Sequence, residues 1–152
     1  MILTEILQPT CVKAPLEGTN KDAAITELID LLDASGVLLD RDAVLEAVLA
    51  REAIRSTGIG SGIAIPHGKC AGVKELVMAM GIAGTPIEYD SIDNKPVKII
   101  CLLVSPVDQT GPHIQALGRI SRLMLDEDFK AKLEKATDPE TVYDLISTKE
   151  HE

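Results

Sequence analysis

The chain has 152 residues, 45% of them hydrophobic, and a formal charge of −9; such a sequence can bury one sizeable core and is too apolar for a disordered segment. Its aromatics are only Tyr89, Phe129 and Tyr143, and no block of basic residues offsets the acidity. Nucleic acid is therefore excluded as a partner, for want of stacking platforms and of phosphate-neutralising charge, whereas a protein with a basic face suits the acidic surface.

At the N-terminus, Met1-Ile2-Leu3-Thr4-Glu5 lacks the basic-then-apolar pattern of a secretory signal. No apolar run reaches the 18 residues of a membrane span. Cys11, Cys70 and Cys101 are odd in number, widely spaced and without a CxxC pair. A cytoplasmic protein with reduced thiols and no membrane insertion is expected.

Periodicity begins near Thr19 or Asn20, both able to cap a helix, with Ile25, Leu28, Ile29 and Leu32 at helical spacing and Gly36 as the stop. Asp40 caps a second helix whose inner face carries Val44, Leu45, Val48 and Leu49. Ile63 to Ile65 reads as a short buried strand, Leu76 to Ala83 as another, and Asp93-Asn94-Lys95-Pro96 as a turn. Val97 to Val104 is uninterrupted and apolar, the pattern of a strand covered on both faces. Gly111-Pro112 opens a third long helix, with Pro112 expected at its first position and His113, Leu117, Ile120 and Met124 on one side. Two short helices, Asp126 to Ala136 and Asp138 to Ser147, precede a frayed tail containing an exposed His151. Strands interleaved with helices predict an α/β layered domain occupying residues 1–152, with a core over about 2–148.

The segment Gly62-Ile63-Ala64-Ile65-Pro66-His67-Gly68 delivers one histidine between a proline, which fixes backbone, and a glycine, which leaves room for backbone to approach what the ring carries. His67 so placed could serve as proton shuttle, metal ligand or nucleophile, or could merely cap a strand end. Arg51 lies three residues after Val48 and seven after Val44, on the inner stripe of its helix. An inward guanidinium needs an anion, supplied by a carboxylate such as Glu52 or Asp108, or by a ligand. His113, inward and in the first helical turn, is either a core histidine bonded to a backbone carbonyl or a neutral donor to an anion.

Rival chemistries fail on spacing. His67, Cys70 and His113 make at most three zinc ligands, and Gly58-x-Gly60-x-Gly62 precedes a strand rather than joining strand to helix. Gly68-Lys69 is followed by Cys70 where a phosphate-binding loop needs Ser or Thr, and Ser56 and Ser61 lack the nucleophile elbow. A Cys70 nucleophile paired with His67 stays open. No metal or cofactor is called for.

The run Arg51-Glu52 … Ser56-Thr57-Gly58-Ile59-Gly60-Ser61-Gly62-Ile63-Ala64-Ile65-Pro66-His67-Gly68-Lys69, with the later Gly111-Pro112-His113-Ile114-Gln115-Ala116-Leu117, resembles the fructose/mannitol-type EIIA domains of the bacterial phosphoenolpyruvate-dependent phosphotransferase system. The resemblance covers essentially the whole chain, and within the family it is strongest to stand-alone nitrogen-regulatory EIIA. It implies a mixed, mostly parallel sheet sandwiched by helices. It also implies a phosphoryl group carried on His67, with Arg51 beside it and His113 as the second histidine. Ser56, Thr57, Gly58 and Gly60 could add hydroxyl and N–H donors around the phosphate. The implied donor is HPr or its nitrogen-branch paralogue, and the implied acceptor an EIIB domain. No EIIB- or EIIC-like segment is present, so the resemblance leaves two uses: a carrier without its own permease, or a regulatory module whose protein targets depend on the state of His67.

Overall fold

The computed structural model describes all residues 1–152. A 3-10 turn, Leu3–Glu5, leads into β1 (Leu7–Leu16), α1 (Lys21–Ala34), α2 (Arg41–Ile54), β2 (Gly58–Gly60), β3 (Ile63–Ala64) and β4 (His67–Lys69). There follow β5 (Val77–Ile87), β6 (Val97–Ser105), α3 (Thr110–Leu123), α4 (Glu127–Lys135) and α5 (Pro139–Glu150). The sheet runs β1-β5-β6-β3-β2, and β4 also pairs with β6.

The fold is α/β, as the interleaved elements predict, with the mixed sheet that the family resemblance implies. Three pairings are parallel (β1–β5, β3–β6, β4–β6) and two antiparallel (β2–β3, β5–β6). The long central ladder, from Val77↔Val104 to Ile82↔Ile99, is one of the antiparallel ones. Residues 88–96 are too few for the helical crossover that a parallel neighbour requires, so the chain turns back directly. Along β6 every side chain except Lys98 is buried, which places cover on both faces of the sheet. Burial of each Ile, Leu or Val there stabilises by roughly 1.5–3 kcal/mol, an upper bound for an extended reference chain.

β3 and β4 are two consecutive lengths along one edge of β6: Ile63↔Ile99 and Ala64↔Ile100, then His67↔Leu103. That register carries His67 to the C-terminal end of β6, from which the chain passes directly to α3. The capping residues read from the sequence are in place. Asn20 Oδ1 accepts from the Ala23 N–H at 2.9 Å, and Asp40 Oδ1 from the Ala43 N–H at 3.1 Å. Asp126 and Asp138 do the same for α4 and α5.

β2 and β4 are strands that the sequence reading does not contain, β5 runs on past Ala83 to Ile87, and three further elements differ from that reading. β1 was not expected, because Pro9 and Pro15 interrupt it; it is an edge strand, bonded on one side only, where proline costs little. Pro112 occupies the third helical position of α3, not the first; the first turn's N–H groups have no helical acceptor, so a proline is tolerated there too. The tail does not fray at Ser147. α5 continues to Glu150, whose carboxylate accepts the backbone N–H groups of Leu3 and Thr4 and pairs with Arg119 Nε at 2.8 Å. His151 is exposed, as expected.

Candidate active site

Strands of α/β sheets gather functional groups at their C-terminal ends, and here the register sets His67 opposite Leu103, near the C-terminal end of β6. His67, half-buried, begins β4. Its Nδ1 lies 2.7 Å from the Ile65 carbonyl oxygen. A carbonyl can only accept, so Nδ1 carries the proton and Nε2 keeps the lone pair. No protein group bonds Nε2, and it is not sealed from solvent. Burial holds the His67 pKa below the usual value; the Arg51 and Lys69 charges push the same way, against the Ile65 carbonyl and Glu52. The ring is thus neutral at pH 7.

Gly68 follows for a reason other than access to the ring. A Cβ there would stand 3.2 Å from the backbone nitrogen of Val48 and 3.3 Å from the Ala47 carbonyl carbon, so glycine lets β4 lie directly against α2. That contact sets the distance between His67 and the end of α2, where Arg51 and Arg55 sit.

Arg51 is half-buried and has no carboxylate partner; its Nη1 donates to the Arg55 carbonyl at 2.9 Å. Of the two alternatives left open by the sequence, the pairing with a carboxylate such as Glu52 or Asp108 does not form. Glu52 is occupied elsewhere: buried, it pairs with Lys21 Nζ at 3.1 Å and accepts from the Thr57 N–H at 2.9 Å and from the Thr57 hydroxyl. The Tyr89 hydroxyl lies 3.2 Å from Thr57 Oγ1, and Lys21 Nζ is 4.7 Å from the Tyr89 ring centre. This network ties the end of α2 to β2 and leaves the guanidinium unspent. Glu52→Ala would leave the half-buried Lys21 ammonium and the buried Thr57 amide without their acceptor; the expected loss is about 2–3 kcal/mol, read as a lower urea midpoint.

His67, Arg51, Ser56, Thr57 and Gly58 line one open cleft of about 570 Å³, with Arg55, Ile59, Ile65, Asp90, Ile92, Leu117 and Ser121. Gly60 stands apart from it, in the tight β2–β3 turn at φ +96°. Within the cleft wall several donors are already engaged. The Ser56 hydroxyl donates to the Tyr89 carbonyl at 2.8 Å and accepts from the Gly58 N–H at 3.1 Å. Arg55, exposed and just past the end of α2, joins the cleft without having stood out as a candidate in the sequence. Ile59 and Ile92, 47% and 71% exposed, give the cleft an apolar rim that no sequence pattern announced.

His113 is 2% exposed and its ring meets that of His67 at 5.3 Å between centres, with the planes at 67°. It is the fourth residue of α3, so its own N–H already bonds the Gln109 carbonyl. Its Nδ1 faces the Ser105 hydroxyl at 2.7 Å, not a backbone carbonyl, and its Nε2 is enclosed without a partner. Burial, then the neighbouring His67 and Lys69, lowers its pKa to about 4. The unfolded chain would take up this proton near pH 6.5, so between pH 6.5 and 4 it binds more protons than the folded one. The His113 contribution to stability is then full above pH 6.5 and diminishes by about 3 kcal/mol as pH drops to 4. Urea midpoints at pH 7 and pH 4.5 should diverge less in His113→Gln than in the unaltered protein.

The arrangement is a neutral imidazole with one free nitrogen, beside two guanidinium groups without acids and a second neutral imidazole. Residues 5–149 match the family model described as phosphoenolpyruvate-dependent sugar phosphotransferase system, EIIA 2. The protein belongs to this family. It is thereby a phosphoryl carrier of that system. The chain is 36% identical to the nitrogen regulatory protein of Escherichia coli (strain K12), over 97% of this chain and 91% of that one. It is 35% identical to the fructose-specific EIIABC component of Bacillus subtilis (strain 168), over 97% of this chain but only 23% of that protein's length. The crystal structure of nitrogen regulatory protein IIA-Ntr from Neisseria meningitidis superposes with a TM-score of 0.81 at 30% identity, covering 93% of this chain and 97% of the other. No helix in this EIIA protein is long and apolar enough to cross a membrane.

Proposed function

We propose that His67 is the residue on which this EIIA protein carries its phosphoryl group, acting as one cytoplasmic domain over residues 1–152. The observation that carries the reading is the Nδ1–H bond to the Ile65 carbonyl, which commits the tautomer and leaves Nε2 as the nucleophile. In the forward step the N–P bond of the donor's phosphohistidine breaks as a His67 Nε2–P bond forms, and the donor's ring keeps the electron pair of the broken bond. His67 retains its Nδ1 proton, so the phosphorylated ring bears positive charge. The Ile65 carbonyl dipole stabilises that charge, and the charge in turn makes the ring a good leaving group for onward transfer.

Phosphoryl transfer asks for alignment and charge stabilisation more than covalent help. Arg51 supplies a planar fork for two equatorial oxygens, and His113 an uncharged donor that does not overbind the phosphate. Ser56, Thr57, Gly58 and Gly60 shape the surrounding wall and turn, Thr57 by its tie to Glu52. The apolar rim of Ile59 and Ile92 suits a macromolecular donor and acceptor: HPr or its nitrogen-branch paralogue on one side, an EIIB domain on the other. The B. subtilis relative, an EIIABC component by name, supports the second assignment.

A regulatory use is the second reading, favoured by likeness to nitrogen regulatory proteins over nearly the full length of both chains. Incubation with phosphoenolpyruvate, enzyme I and HPr should load one acid-labile phosphate per chain; no uptake from either HPr or its paralogue would defeat the carrier reading of His67. Discharge to a sugar-specific EIIB marks a transport role. Capture of a non-transport protein by only the phosphorylated or only the unmodified form marks regulation.

A further inference from the structure

Ser105 closes β6, is fully buried, and belongs to none of the motifs singled out above. Its backbone is fixed from the β4 side: Lys69 is its register partner, and its carbonyl accepts the Cys70 N–H at 3.1 Å. The side chain makes a single hydrogen bond, to His113 Nδ1 at 2.7 Å.

The proton in that bond has two conceivable owners. If Nδ1 held it, the Ser105 hydroxyl hydrogen would be buried with no acceptor, since the ring is the hydroxyl's only partner. That arrangement leaves two buried groups unmet, the hydroxyl hydrogen and the Nε2 lone pair, whereas the alternative leaves only one, and each unmet buried group costs about 1–3 kcal/mol. If the hydroxyl donates to Nδ1, that hydrogen is satisfied and the ring's own proton must sit on Nε2. Nε2 is then an N–H donor, enclosed and unpartnered, on a ring packed 5.3 Å from His67. A buried donor without a partner calls for an explanation in the resting protein. Phosphate on the neighbouring ring provides one, because its oxygens accept and cannot donate. The opposite tautomer would present a lone pair to a dianion, which is repulsive.

We infer that Ser105 is a positioning residue for phosphoryl transfer: by donating to Nδ1 it holds His113 as the Nε2–H tautomer, ready to donate to the phosphoryl group on His67. The inference rests on the assignment of phosphate to His67, and its resting-state part stands independently of that assignment. Ser105 touches neither phosphate nor partner. Its effect passes entirely through the His113 ring.

Imidazole nitrogen NMR of the unmodified protein tests the first half without any phosphoryl donor. His113 should show a protonated, pyrrole-type Nε2 and a pyridine-type Nδ1; the reverse pattern overturns the inference even if His67 proves to be the carrier. The second half is read with Ser105→Ala, which removes one oxygen and keeps the backbone bonds. Its His113 signals should shift toward the Nδ1–H form, and phosphoryl exchange between HPr and His67 should slow by about 10-fold, the lower range for removing a group that orients a functional histidine. Ser105→Thr, which keeps the hydroxyl, should recover most of that rate. Unchanged exchange and unchanged ring signals in Ser105→Ala would overturn the positioning role. So would slow exchange in both variants with the His113 signals unaltered, since that is the mark of a packing defect. Should the unaltered protein take no phosphate at all, the carrier assignment fails separately, and the tautomer measurement alone decides the role of Ser105.

Discussion

His67→Ala protein, incubated with phosphoenolpyruvate, enzyme I and HPr, should acquire no phosphate while remaining folded. The loss should be complete, because transfer here requires a nucleophile and not only stabilisation of charge. The only other imidazoles are unsuited to replace it. His113 is enclosed at Nε2 and occupied at Nδ1, and His151 bonds the Ser147 carbonyl in the exposed tail. The substitution removes a half-buried ring from the edge of the cleft, with its bond to the Ile65 carbonyl and its edge contact with His113, so about 1–2 kcal/mol of stability is at risk. Phosphate incorporated into this variant at the unaltered rate would move the carrier site off His67. The lowered pKa adds a signature in the unaltered protein. Since the attacking ring must be neutral, loading should decline as pH falls with a midpoint below the usual histidine value of about 6.5, if HPr is supplied already phosphorylated.

The second large effect belongs to Arg51. Arg51→Ala should slow loading of His67 by about 100-fold, the scale for removing one preorganised donor from a developing phosphoryl charge. Stability should change by no more than about 1 kcal/mol, since the guanidinium makes one hydrogen bond, to a carbonyl, and no ion pair. Arg51→Lys should recover part of the rate, as an ammonium keeps the charge but not the planar fork. A variant that loads at the normal rate would return Arg51 to a purely structural part. The contrast with Glu52 is useful here: one residue along the same helix, its removal should damage the fold first and the chemistry only as a consequence.

Much of this was legible in the sequence because the responsible forces are local. The helices α1 and α2 announced themselves through periodic Ile, Leu and Val with Asn20 and Asp40 as caps. β6 did so through an unbroken apolar run that only a doubly covered strand can carry. His67 stood out since proline and glycine flank it, although the reason for Gly68 proved to be close packing on α2. What stayed hidden depends on pairing across the fold. β1 borrows its stability from β5, and a proline-containing edge strand has no pattern of its own. The partner of Arg51 could not be read from helical spacing, which indicated an inward direction but not that Lys21 and Thr57 had already claimed Glu52. Ser105 was invisible for the same reason. Its distance from His113 is set by β6 ending and α3 beginning within a few residues, and a serine at the end of an apolar strand otherwise reads as a terminator.

The most direct measurement is the position of the bond. Phosphorylated protein, labelled with nitrogen-15 in its histidines, can be examined for phosphorus coupling to each imidazole nitrogen. The hydrogen bond from Nδ1–H to the Ile65 carbonyl predicts phosphorus attached to Nε2 of His67, with Nδ1 still protonated. Phosphorus on Nδ1, or on any residue other than His67, would contradict it.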